Sequence, residues 1–238
     1  MCEIYPDTFS RSQLLLGEAG LAKLQRSHVV LCGVGGVGSY VAEALVRSGL
    51  GSLTLVDFDK VSSSNINRQL CALHSSVGRD KVDVVAERLL DVNPACRIQR
   101  QKYFVDEQNA AEIIADADYV ADAIDYLPGK VALVLAAREQ EKPIVCAMGA
   151  GRRLDPTLLR VADISQTHIC PLARNFRREL RSKGIESGVE VVFSVEQPLA
   201  PPPTPPGEKA PIGSLSFVPG AMGLVMASLI VRRLSGLE

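Results

Sequence analysis

The residues best suited to chemistry lie in four short stretches of the first half of the chain. Gly33-Val34-Gly35-Gly36-Val37-Gly38 follows an apolar run and opens a helical pattern. Glycines there let the backbone approach a phosphate, and the helix start adds N–H donors and partial positive charge. Asp57 and Asp59 follow about twenty positions on, where a carboxylate can accept from ribose hydroxyls. Asn65 and Arg68 sit in SSSNINRQ, Lys81 in GRDK, and Asp125 in DAID. A guanidinium fork and a lysine point charge aimed at one place suit a triphosphate more than the two charges of a pyrophosphate. Asp125 is a hard oxygen ligand that could hold Mg²⁺. Singly, each is a plausible surface charge. Together they fall at the carboxyl ends of neighbouring strands, where open α/β sheets bind ligands.

A redox dinucleotide is the rival reading of the same glycine turn. Tyr126-Leu127-Pro128-Gly129-Lys130 has the Y-x-x-x-K spacing of a hydride-transfer pair. That pair needs a helix, where i and i+4 share a face. Proline and glycine in its middle argue for a turn entering a helix, so the match reads as chance. A nucleotide-binding scaffold without catalysis is the bland alternative.

These residues must be held by a strand–helix alternation. Expected strands are His28 to Cys32, Ser52 to Val56, Ile98 to Phe104, Tyr119 to Ile124 and Pro143 to Met148. Expected helices are one or two short ones over Phe9 to Gln25, then Val37 to Ser48 stopping at Gly49, and Asp80 to Val92 stopping at Asn93-Pro94. A further helix is capped by Asp106 and runs to about Ala115, and another spans Leu127 to Glu141. That order implies a Rossmann-like α/β open sheet with a parallel N-terminal part. Lys60 to Gly78 is a long polar connection, a length that often marks function.

After Gly151 the texture changes to a mixed or antiparallel C-terminal extension. Strands at Leu158 to Ile164 and Val189 to Val195 flank a basic helix, Leu172 to Ser182. Residues 197 to 211 hold seven prolines and read as an extended loop. A last helix runs from about Gly220 to Leu234. The whole chain reads as one domain, with a nucleotide-binding part at 9 to 150 and a substrate-facing part at 151 to 238. Leu215 to Val231 is apolar, but Pro219, Gly220 and Gly223 interrupt it, so a core helix is preferred to membrane contact.

Net charge is −1 over 238 residues, which excludes a chain that binds polyanions over its whole surface. Residues 151 to 184 nonetheless carry Arg152, Arg153, Arg160, Arg174, Arg177, Arg178, Arg181 and Lys183 against Asp155, Asp163 and Glu179. Such a patch suits a nucleic-acid backbone. The six cysteines form no C-x-x-C pair, which favours reduced thiols of a cytoplasmic protein over a structural zinc. Cys170, in HICP, is the candidate thiol, with arginines nearby to stabilise a thiolate, though a local structural or substrate-gating role is preferred.

In order along the chain, GVGGVG, DFD, SNINRQ, GRDK and DAID resemble the adenylating domain shared by ubiquitin-activating (E1-like) enzymes and their bacterial relatives of thiamin and molybdopterin synthesis. The likeness covers roughly residues 9 to 150. FSRSQLLLGEAGLAKLQRSHV, RSGLGSLTLVDFD, VSSSNINRQLCALHSSVGRDKV and CPLARNFRRELRSKGI are most similar to the tRNA threonylcarbamoyladenosine dehydratase branch. The sulfur-carrier activators bring two C-x-x-C pairs, which this chain lacks. The resemblance implies ATP and Mg²⁺ as cofactors, Gly36 and its neighbours around the nucleotide, and Asp57 on the ribose. It implies Asp59, Asn65, Arg68 and Lys81 at the phosphates, and Asp125 at the metal. Arg11, in FSR, is similar to an arginine that reaches the phosphates of a second subunit, which implies a homodimer. The implied reaction adenylates the threonyl carboxylate of a modified adenosine in tRNA and closes it to a cyclic form. The sister branch implies the alternative: adenylation of the C-terminal glycine of a ubiquitin-like, sulfur-carrying partner; the ubiquitin-activating enzymes use a cysteine to accept the adenylate, a thioester role Cys170 could take.

Overall fold

A computed structural model describes residues 7–205 and 210–237. Five parallel strands come first in the sheet: β1 (His28–Cys32), β2 (Ser52–Val56), β3 (Arg97–Gln101), β4 (Tyr119–Asp122) and β5 (Ile144–Ala147). β6 (Leu159–Asp163) and β7 (Glu190–Ser194) complete it in the order β3-β2-β1-β4-β5-β7-β6. β7 pairs parallel to β5, and β6 returns antiparallel to β7. The expected parallel part and its antiparallel extension thus share one continuous sheet.

β1 and β2 are short apolar runs buried almost throughout, as strands covered on both faces must be. One cover is α1 (Ser10–Arg26), α2 (Gly38–Arg47), α3 (Lys81–Val92) and the C-terminal α7 (Phe217–Ser235). The other is α4 (Ala110–Ile113), α5 (Leu127–Glu139) and α6 (Pro171–Ser182). α1 is two short helices joined at Gly17, whose φ of 69° breaks the helical path.

Four expectations need correction. β3 stops at Gln101, not Phe104, because Tyr103 and Phe104 leave this edge strand to join an aromatic group described below. Asp106 caps only a turn, its Oδ1 accepting from the N–H groups of Gln108 and Asn109, and α4 proper starts at Ala110 and ends at Ile113. β4 stops at Asp122, so Asp125 stands three residues past the strand, in a loop. α7 begins at Phe217 rather than Gly220. Pro219 lies in its first turn, where N–H groups have no intrahelical partner and proline is tolerated. α7 is long and apolar enough to cross a membrane by length and composition, yet Met222, Met226 and Ile230 sit fully in the core against α2 and the sheet.

Candidate nucleotide and substrate pocket

β1 is flanked by β2 on one side and β4 on the other, so the direction of winding reverses beside it. At that switch point, over the carboxyl ends of the strands, lies a cavity of about 560 Å³. Its walls come from the segments after β1, β2, β4 and β5, the start of α6, and residues of the Pro-rich segment.

The glycine turn forms one wall. Gly33 has φ 87°, and its N–H donates to Val56 O at 2.7 Å. A Cβ on Gly38 would stand 1.8 Å from Gly33 O, so only glycine can begin α2 this close to the turn. Gly35 and Gly36 face the cavity, and the stem of Arg68 lies over Gly36. Asp57 braces this wall: Oδ2 accepts from Val34 N at 2.9 Å and Oδ1 from Asp59 N at 2.9 Å. Burial pushes its carboxyl above the ordinary aspartate range, while Lys81 and the two N–H donors pull it the other way.

The long connection after β2 is a closed loop. Val61 N donates to Arg79 O and Gly78 N to Val61 O, both at 2.8 Å, so the loop's two ends are stitched together. That closure delivers Arg68 from mid-loop and Lys81 from the start of α3 to the same cavity. Lys81 Nζ lies 2.7 Å from Asp59 Oδ2. Arg68 Nη1 donates to Ser64 O at 2.8 Å and Asn67 Oδ1 at 3.1 Å. Buried Asn65 spends its Oδ1 on Ser62 N, which fixes the loop's first turn. Asp125 is exposed on the opposite wall. Of the expected site residues, Gly33, Gly35, Gly36, Asp57, Asp59, Asn65, Arg68, Lys81, Asp125 and Cys170 line this cavity. Gly38 stands one residue past lining Val37 and shapes the turn. Arg11 is exposed on α1, away from the cavity walls of its own chain.

Several residues of the site escaped the sequence reading. Lys130 Nζ is 2.8 Å from Asp122 Oδ2, with both side chains fully buried, and it donates to Ile124 O at 3.1 Å. This pair ties the end of β4 to α5 and so holds the loop that presents Asp125. Tyr126, at the other end of the Y-x-x-x-K match, is exposed against Phe104, so the two never form a redox pair. Phe58, Phe104 and Tyr126 make a partly exposed aromatic row on the cavity rim, with ring centroids 4.9 and 4.8 Å apart. Their sequence separation left no pattern to read. Cys170 is 1 % exposed and shares the β5 side of the cavity with Gly149 and Arg153.

The basic patch is smaller than its sequence count. Arg153 is buried, and Arg177 is spent on the Thr167 carbonyl and hydroxyl. Arg174, Arg178 and Arg181 remain exposed at i, i+4 and i+7, which is one face of α6.

A family model described as the ThiF family matches residues 9–238. The chain belongs to the ThiF family. Within it, a tRNA threonylcarbamoyladenosine dehydratase of Bacillus subtilis is 41% identical, covering 95% of this chain and 94% of the relative. A crystal structure of the E. coli tRNA N6-threonylcarbamoyladenosine dehydratase in complex with ATP superposes with a TM-score of 0.89 at 35% identity, over 99% of this chain and 98% of that one. A Thermus thermophilus sulfur carrier protein adenylyltransferase is 35% identical but covers only 58% of this chain and 52% of its own. The ThiF family likeness therefore runs through the C-terminal extension for the dehydratases.

Proposed function

We infer that this chain is an ATP-dependent dehydratase that cyclises N6-threonylcarbamoyladenosine in tRNA through a carboxyl-adenylate. The observation that carries this reading is the extent of the likeness. Dehydratases match the chain end to end, including the basic helix and the β5 side of the cavity, and one of them is seen with ATP. The shorter match to the sulfur-carrier enzyme makes carrier adenylation the second reading and not the first.

In the proposed reaction the threonyl carboxylate attacks the α-phosphorus of ATP and pyrophosphate leaves. A group of the same side chain then attacks the acyl-adenylate carbonyl, AMP departs, and the ring closes. The attacking group is already tethered, so its effective concentration is high and no protein nucleophile is needed. Buried Cys170 then acts as a wall of the substrate end. Gly35, Gly36 and the start of α2 supply N–H donors to the phosphates, while Gly33 holds the turn against β2. Arg68 and Lys81 bring positive charge to phosphorus as negative charge moves onto pyrophosphate. Asp57 accepts from the ribose while bracing the glycine turn, and Asp59 and Asn65 hold the cations' loop in place.

The donor set fits Mg²⁺. Asp125 offers a hard carboxylate on the exposed wall, and among the described residues it has no ion pair to surrender. The ion would neutralise phosphate charge when ATP is bound. For the partner, α1 supports a homodimer: Leu14 and Leu15 are 80% and 82% exposed, next to a groove formed with α2 and α7. Arg11 of one protomer would then reach its partner's phosphates. A tRNA substrate supports a place in the cytoplasm.

The test is AMP release with ATP and either modified tRNA or a carrier ending in Gly-Gly. Release with modified tRNA is expected. Release with the carrier alone would replace the first reading by the second.

A further inference from the structure

Arg153 is a buried charge without a counter-charge. It is 3 % exposed and lines the cavity just past β5. Every hydrogen bond it makes goes to a neutral carbonyl: Nη1 to Gly149 O at 2.6 Å and Gly151 O at 3.2 Å, and Nε to Glu196 O at 3.3 Å. The Glu196 carboxylate is turned away, accepting instead from the backbone N–H groups of Leu154 and Asp155. Among the described residues no carboxylate pairs with Arg153, and its buried Nη2 has no partner at all. An unpaired charge with an unused donor in the interior is costly and calls for an explanation.

Its place supplies one. Asp57, Arg68 and Lys81 lie on the β2–β1 side, whereas Arg153 follows β5, a strand three places from β2, or about 14 Å at ~4.8 Å per strand. The nucleotide end is thus served by other cations. Across from it, Arg153 and the Cys170 thiol flank Gly149: a Cβ there would touch both, 3.4 Å from Cys170 Sγ and 3.6 Å from Arg153 Nη1. Nη2 alone keeps its N–H groups unspent, and a guanidinium N–H donates well to a carboxylate oxygen.

We propose that Arg153 binds the carboxylate of the substrate's threonyl group and offsets its repulsion from the ATP phosphates before adenylation. This assignment rests on the substrate reading above. The tethered carboxylate approaches on the Gly149 side of the cavity and accepts from Arg153 Nη2. The arginine's three carbonyl bonds fix the fork's direction, and ATP is bound without it.

The experiment compares wild type and Arg153→Gln for modified tRNA, for the same tRNA with an unmodified adenosine, and for ATP. Expected for wild type is binding of modified tRNA at least tenfold tighter than unmodified. For R153Q, that preference disappears and KM for modified tRNA rises at least 30-fold, while the ATP Kd stays within twofold. Arg153→Lys, which keeps the charge, recovers part of the loss. An unchanged preference in R153Q overturns the assignment, and so does an equal loss of ATP affinity, which would mark Arg153 as structural. Should R153Q not fold, wild type decides: the free nucleoside N6-threonylcarbamoyladenosine should inhibit at least tenfold better than its methyl ester, and equal inhibition overturns the assignment. If wild type does not turn over modified tRNA, the functional reading itself falls, an outcome separate from failure of R153Q alone.

Discussion

The two ends of the cavity handle charge in opposite ways. At the β2–β1 end, Lys81 is held 2.7 Å from Asp59, Arg68 is propped by its own loop, and Asp57 is satisfied by backbone donors. At the β5 end, Arg153 is bonded to carbonyls and to no carboxylate. The difference teaches what each ligand demands. A triphosphate brings several charges, and what it requires is donors held still, so pairing the cations with protein groups costs little and gains position. A single carboxylate brings one charge, and neutralising its receptor beforehand would leave nothing to bind it.

The largest effect should come from the buried ion pair at the end of β4, the strand between β1 and β5. Lys130→Met leaves Asp122 buried and unpaired, which costs about 3–5 kcal/mol. Thermal unfolding should show a large fall in Tm, and restoring apolar balance with Asp122→Leu in the same chain should recover most of it. If K130M alone melts like wild type, the pair is not what holds the Asp125 loop.

Arg68→Ala should act on chemistry and not on the fold. Losing one positioned donor at the moving charge lowers turnover about 10²–10³-fold, with Tm unchanged. Pyrophosphate exchange measures this. A redox dinucleotide enzyme would be indifferent to R68A.

The pH dependence of ATP binding sharpens the contrast next. Asp57's folded carboxyl lies above its ordinary value because it is buried. Proton uptake therefore begins at a higher pH than for a free aspartate near about 3.9. ATP affinity should weaken as pH falls toward that raised value, and Asp57→Asn should flatten this limb. The same sign makes the buried carboxylate a stability cost at neutral pH that fades on acidification.

The smallest effect belongs to the outer face of α6. Arg174→Ala, Arg178→Ala or Arg181→Ala should each weaken tRNA binding only modestly and lower the slope of log K against log salt by about 1. ATP affinity should not move. An unchanged salt slope in all three would remove α6 from the tRNA path.

Much of this was legible before any coordinates. β1 and β2 are short, mostly apolar runs, and GVGGVG between β1 and α2 can adopt few other structures, so local sterics and periodicity sufficed for the sheet's first half and the nucleotide end. The stop at Gly49 and the antiparallel return of β6 were similarly visible, whereas one or two short helices were expected before β1 with no break placed at Gly17. Helix α4 misled because Asp106 is an equally good cap for a turn as for a helix. α7 started early because a proline in a first turn looks, in one dimension, like a helix breaker.

What the chain's order alone determined was the alternation of strand and helix, the glycine turn, and the set of charges brought to the carboxyl ends of the strands, because these depend on spacing and backbone sterics. Which of those charges are paired was decided only by the tertiary structure. Lys130 read as a chance match and proved to be a buried ion pair with Asp122, while Arg153 read as one of eight surface cations and proved to be buried and unpaired. Burial and partnership depend on residues distant in sequence, and a charge's energy is set by what surrounds it rather than by its neighbours along the chain.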